Sequence, residues 1–233
     1  MNPIYEQNIV MDLEFTKPTD EAVRSALRFE IIQIGAVRVD AYGNALDTFD
    51  SYVRPRYASD IAWKVKQLTG ISRSDVCDAD CLEDVMGRFL DWVGDSPTRI
   101  VTWSRNDFKQ LSSETRFKGL PFSLGDMRWL DLQKIYPRLM GVGRKGRDMA
   151  LKTAAEWYGV EVADDLLHGA LYDATVTAEL LRRIMTGDYL KQKNVFSEVM
   201  CAPSEHEVLS ANVGGRFAGL LDLKASLLAE ACG

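Results

Sequence analysis

Asp12 and Glu14 stand two apart in Ile9-Val-Met-Asp-Leu-Glu-Phe15, and residues two apart on a strand point to the same face. Two carboxylates on one side of an apolar strand resist burial unless something positive binds them. An all-oxygen pair of this kind suits a hard divalent cation such as magnesium or manganese. The same pair also fits a strand with one solvated face and both acids in water. Further along, His168-Gly-Ala-Leu-Tyr-Asp173 puts an imidazole just before a helical pattern and a carboxylate in its first turn. The helix dipole favours an acid there whatever its function, and Asp107, after Thr102-Trp-Ser-Arg-Asn, has the same bland explanation. His168 is harder to dismiss. It is one of two histidines in the chain, beside Gly169 on a loop from which a general base could reach a substrate.

The elements that must position these groups follow from hydrophobic periodicity. Residues 9–15 form a strand apolar on both faces, as in a buried sheet. Glu30–Val39 and Ala45–Val53 are the next two strands, and Asp40-Ala-Tyr-Gly43-Asn44 between them has the chemistry of a tight antiparallel turn. After Pro55 the pattern becomes helical, most clearly over Cys81–Val93, where Leu82, Val85, Met86, Phe89, Leu90 and Val93 recur at helical spacing. Arg99–Trp103 reads as a fourth strand, Asn106–Phe117 as a helix and Met127–Leu130 as a brief fifth strand. Helices are expected over Asp131–Leu139, Met149–Tyr158 and Ala170–Met185. Residues 1–187 are read as one catalytic-type domain. Residues 188–233 are read as a connector followed by an amphipathic helix built on Phe217, Leu220, Leu221, Leu227, Leu228 and Ala231, packed on the domain or docking a protein partner.

A chain of 233 residues, 46% hydrophobic and 27% charged, can bury a core without covalent staples. Mean hydropathy is -0.15. The first residues, with Glu6 and no basic segment before an apolar run, do not read as a secretory signal, and the expected location is cytoplasmic. Cys77, Cys81, Cys201 and Cys232 form no CxxC pattern, so zinc is poorly supported and reduced thiols are expected. A net charge of -6 argues against coating long duplexes through a broad basic surface. A small local basic surface would suffice at a chain end, and Arg144, Lys145, Arg147 and Lys152, or Lys64 and Lys66, could supply it or simply be solvated.

Taken in order, Asp12-Leu-Glu14, Asp107 and His168 with Asp173 resemble the three motifs of the DEDDh 3′-to-5′ exonucleases. The flanking Glu30-Ile-Ile-Gln-Ile-Gly-Ala-Val37, Tyr52-Val-Arg-Pro55 and Leu68-Thr-Gly-Ile-Ser72 agree with that family. Within it, Asp12-Leu-Glu-Phe-Thr16, Ile100-Val-Thr-Trp103, Gly125-Asp-Met-Arg128 and the tail from Gly215-Arg216 look most like the bacterial inhibitors of the sporulation KinA pathway, relatives of the Eri1-type RNA exonucleases. Gln33 is a departure, since many relatives would carry an acid there, and the Gly141–Gly146 loop is another.

The resemblance implies an α/β, RNase H-like three-layer fold with a five-stranded mixed sheet flanked by helices. It also implies 3′-to-5′ removal of nucleoside 5′-monophosphates from single-stranded RNA or DNA ends, with RNA preferred. Asp12, Glu14, Asp107 and Asp173 would hold two Mg²⁺ or Mn²⁺ ions roughly 3.5–4 Å apart, Asp12 bridging them, and His168 would be the general base. Phe15 is expected either to pack against the terminal base or sugar or to belong to the core, as strand aromatics usually do, and the Thr16 region to contact the nucleotide through backbone groups. The competing expectation is a non-catalytic module binding RNA or protein on the same fold.

Overall fold

The computed structural model describes residues 7–121, 127–139 and 149–188. The expected connector, the C-terminal helix and the 141–146 loop lie outside the described residues, as do Arg144, Lys145 and Arg147.

Five strands form one mixed sheet: β1 (Gln7–Thr16), β2 (Glu30–Val39), β3 (Ala45–Tyr52), β4 (Thr98–Thr102) and β5 (Arg128–Asp131), in the order β3-β2-β1-β4-β5. β1–β2 and β2–β3 pair antiparallel, while β1–β4 and β4–β5 pair parallel. The helices are α1 (Glu21–Arg24), α2 (Trp63–Thr69), α3 (Arg73–Val76), α4 (Leu82–Val93), α5 (Arg105–Phe117), α6 (Leu132–Leu139), α7 (Leu151–Trp157) and α8 (Ala170–Thr186). This is the expected RNase H-like arrangement. Each longer element falls within two residues of its expected bounds; α1 is not anticipated by the periodicity.

Alternation along the strands divides the core in two. Ile9, Met11 and Leu13 of β1 join Phe89, Val85 and Leu82 of α4 and Leu111 of α5 on one face. Val10 faces the other way, into a cluster with Val37, Val101, Tyr136, Ala154, Ala174 and Leu181 from β2, β4, α6, α7 and α8. Asp12 and Glu14 share the parity of Val10. They therefore sit on the α8 side, where the apolar layer ends, and the register irregularity between Glu14 and Phe15 marks where the strand begins to turn away.

Among the described residues, no helix is long and apolar enough to cross a membrane. Cys77 and Cys81 are free thiols.

Candidate active site

The acid pair on β1 is completed by α8 because of what β2 lacks. Asp12 pairs in register with Gly35, and Glu14 with Gln33. A Cβ on Gly35 would stand 2.1 Å from the Leu171 nitrogen and 2.2 Å from the Ala170 carbonyl carbon. Only a residue without a side chain lets the first turn of α8 lie directly on the sheet beside Asp12. Gln33 then secures that turn: its Oε1 accepts the Ala170 N–H at 3.2 Å, satisfying one of the helix's orphan donors, while its Nε2 donates to Asp50 at 2.9 Å. The side chain read from sequence as a departure is thus a helix anchor.

Seated this way, α8 brings Asp173 over β1. Glu14, His168 and Asp173 each offer a ligand atom within 4.8 Å of the others. Asp107 enters from α5, whose start is capped by Ser104 accepting the Asn106 N–H at 3.2 Å. Asp107 is 5% exposed and Asp173 9%. Asp12 lies among the other acids and feels the charges of Asp107, Glu14 and Asp173.

These groups hold their protons unusually tightly. Burial, then repulsion from Asp107, Glu14 and Asp173, drives Asp12 well above the usual carboxylate range. Burial with Asp173 and Asp107 pushes Glu14 up to about 8. Burial raises Asp107 to about 7, with Asp131 and Asp173 adding to the shift and hydrogen bonds from its own backbone and that of Leu13 pulling against it. Asp173 is raised by burial, with His168 drawing it back. Among the described residues, no Lys or Arg forms an ion pair with any of the four acids. Four clustered carboxylates that no described Lys or Arg pairs with are a donor set suited to hard divalent cations.

His168 precedes the helix in a left-handed backbone conformation, φ 65°, the sole non-glycine residue with positive φ among those described. That conformation costs an L-residue about 1–2 kcal/mol. It lets the backbone N–H of His168 donate to Asp173 Oδ1 at 3.4 Å while the imidazole stays exposed beside the acids. The loop is tied to both flanking helices through adjacent residues. Tyr172 OH accepts the Ala163 N–H at 2.8 Å, and Lys152 pairs with Asp164 at 2.8 Å. Lys152, one of the candidate basic contacts, is therefore occupied in bracing the histidine loop.

Of the two expected substrate contacts, Phe15 is half-buried, its ring 5.3 Å from that of Phe29. Thr16 is fully buried, and its hydroxyl accepts the Ala62 N–H at 3.1 Å. That bond fixes the start of α2 beside the acid strand and leaves Trp63, the next residue, 71% exposed. Sequence reasoning misses Trp63. Its one signal is an aromatic beside Lys64 and Lys66, both exposed.

The fold, the clustered acids and the adjacent histidine define a nuclease of the RNase H-like class. Residues 9–181 match the family model described as "Exonuclease", and the chain belongs to that family. It is similar to DNA polymerase III subunit epsilon of Aquifex aeolicus, 30% identical over 80% of this chain and 88% of the relative. It is also similar to the probable 3′-5′ exonuclease KapD of Bacillus subtilis, 29% identical over 76% of this chain and 83% of the relative. Among solved structures, the nuclease domain of 3′hExo, a DEDDh family member bound to rAMP, shares the fold with a TM-score of 0.67, 22% identity, and coverage of 80% of this chain and 95% of that one. The exonuclease family expected from the motifs is the one found, and with it a hydrolase acting on nucleic acid.

Proposed function

We propose that the chain hydrolyses single-stranded nucleic acid from the 3′ end, RNA in preference to DNA, releasing nucleoside 5′-monophosphates. The observation that carries this is the convergence of Asp12, Glu14, Asp107 and Asp173, unpaired with any described basic residue, around an exposed histidine. Asp12, Glu14, Asp107 and Asp173 would hold two divalent cations, Mg²⁺ or Mn²⁺. When bound, such ions supply an activated water and charge stabilisation for the leaving 3′ oxygen.

The protein's own contributions follow from the residues. His168 accepts the proton of the attacking water. Its tie to Asp173 keeps the imidazole near the acid cluster. Trp63 and the exposed edge of Phe15 offer the terminal base an aromatic surface for stacking. The preference for RNA is supported by the ribonucleotide carried by the 3′hExo neighbour, while the polymerase-subunit relative makes DNA the necessary control.

The test is a time course on 5′-labelled RNA and DNA oligomers, single- and double-stranded, with Mg²⁺, Mn²⁺ or chelator. A descending ladder is expected, faster on single-stranded RNA and absent in chelator. Asp12→Ala and Asp173→Asn should abolish it without loss of fold. A single internal cut, or full activity in either variant, overturns the assignment.

A further inference from the structure

The segment that carries His168 has no core of its own. Ala163, Asp164, Asp165, Leu166 and His168 are all exposed, so burial does not fix their positions and polar ties must. Those ties make a closed circuit. Ala163 O accepts the Leu166 N–H at 3.1 Å, which turns the chain toward His168, Gly169 and the start of α8. Consecutive residues of that helix then grip the two ends of the segment. Tyr172 OH accepts the Ala163 N–H at 2.8 Å, and Asp173 Oδ1 accepts the His168 N–H at 3.4 Å.

The two grips differ in their other duties. Asp173 is one of the clustered acids. Tyr172 precedes it, and successive helical residues stand about 100° apart round the axis. Helical side chains also lean toward the N-terminus, so a phenol at the third position of α8 reaches back over the loop that enters the helix. At the same end of the segment, Asp164 pairs with Lys152 at 2.8 Å. Lys152 is an exposed, flexible chain and Tyr172 a half-buried ring with few rotatable bonds, which makes the phenol the stiffer hold.

Resting on the exonuclease reading, we infer that Tyr172 is a positioning residue for the general base: through Ala163 it holds the turn that sets His168 beside the acids. Its hydroxyl touches neither substrate nor metal. It acts by keeping the imidazole in the geometry that proton transfer requires.

The test is a double-mutant cycle on cleavage of 5′-labelled RNA with Mn²⁺, under steady-state and single-turnover conditions, comparing wild type, Tyr172→Phe, His168→Ala and the double variant. Phenylalanine keeps the ring and removes the acceptor, and the Ala163 N–H it releases is exposed and turns to water. Tyr172→Phe should lower kcat about three- to tenfold, the weight of one hydrogen bond that no longer presets the loop. KM, Mn²⁺ affinity by calorimetry and Tm should stay as in the wild type. Amide hydrogen exchange over residues 163–168 should quicken in the same variant. With His168→Ala already in place, Tyr172→Phe should add nothing, because two residues acting through one group are not additive. An equal fall in kcat in both backgrounds overturns the assignment, and so does wild-type kcat in Tyr172→Phe. Weakened Mn²⁺ binding would make Tyr172 a support for Asp173 and would overturn it equally. Failure of the exonuclease reading is seen separately, in the wild type, as absence of any ladder with metal present.

Discussion

Gly35 of β2 and Leu171 of α8 approach so closely that no side chain fits between them: a Cβ on the glycine would stand 2.1 Å from the Leu171 nitrogen. The contact sets the height of Asp173 above Asp12. Gly35→Ala must lift the start of α8, and overpacking of this kind costs about 1–3 kcal/mol. Displacement of a catalytic group by about an ångström costs about 10²-fold in rate. The expected outcome is a folded protein with modestly lowered Tm and turnover reduced about 100-fold, with circular dichroism and kinetics measured on the same preparation. Wild-type turnover would show that α8 tolerates the shift.

His168 combines an exposed imidazole with a backbone that asparagine also accepts. Both His168→Ala and His168→Asn should lower turnover about 10²–10⁴-fold, while Mn²⁺ binding followed by calorimetry persists. His168→Asn should keep the higher Tm of the two. Loss of metal binding in either variant would make the imidazole a ligand instead of a base.

The raised carboxyl groups fix the sign of a pH effect. In the folded, metal-free protein Glu14 keeps its proton up to about 8 and Asp107 up to about 7, against ordinary values of 4.5 and 3.8. Between those limits the folded state binds more protons than the unfolded chain, so these groups withdraw stability as pH rises. Glu14→Gln should therefore raise the chelator-treated Tm at about pH 8, by roughly 2–4 °C for each kcal/mol relieved, and leave it nearly unchanged at about pH 5. Metal binding must expel the protons, so Mg²⁺ affinity should strengthen over the same window. A variant with no stability gain at the higher pH contradicts the assignment.

Gln33 holds α8 through a single acceptor. Gln33→Leu leaves the Ala170 N–H buried and unpaired, a loss of about 1–3 kcal/mol. Thermal denaturation should show the drop. Gln33→Glu keeps the acceptor but adds a carboxylate beside Asp50 and across from Glu14, so its activity should need a higher metal concentration than that of the wild type.

Away from the acids, Lys118 lies between Glu30 at 3.1 Å and Glu114 at 2.7 Å, all three nearly inaccessible. Glu30 accepts the backbone N–H groups of Arg56 and Tyr57, and Glu114 that of Ile31. The network ties α5, and thus Asp107, to β2 and to the chain after β3. Desolvation pulls Lys118 down, yet Glu114 and Glu30 hold it above its ordinary value. Lys118→Met should cost about 3–5 kcal/mol by leaving uncompensated buried carboxylates, read as a large fall in Tm.

The strands were legible because their signals are local, apolar runs bounded by turn residues, whereas Asp12, Glu14, Asp107, His168 and Asp173 each had a bland local explanation and stood out only as a set in the order of the DEDDh motifs. Even the turn after β2 could be read, since Asp40 accepts the N–H groups of Tyr42 and Asn44 within five residues. What stayed hidden depends on pairs far apart in the chain. Gly35 in an apolar run gives no sign that residues 170 and 171 will press on it, and Gln33 looks like a substitution until Ala170 arrives. The ion pairs of Lys118 with Glu30 and Glu114, and the strut from the Thr16 hydroxyl to Ala62, join partners that periodicity does not name. The exposure of Trp63 follows from that strut, which no periodicity announces.

The acids come from β1, α5 and α8, in that chain order. Asp173 comes on a helix whose seat is the Gly35 backbone of β2, paired in register with Asp12 of β1. The four carboxylates are therefore gathered by the tertiary structure as a whole and by no local segment of the chain.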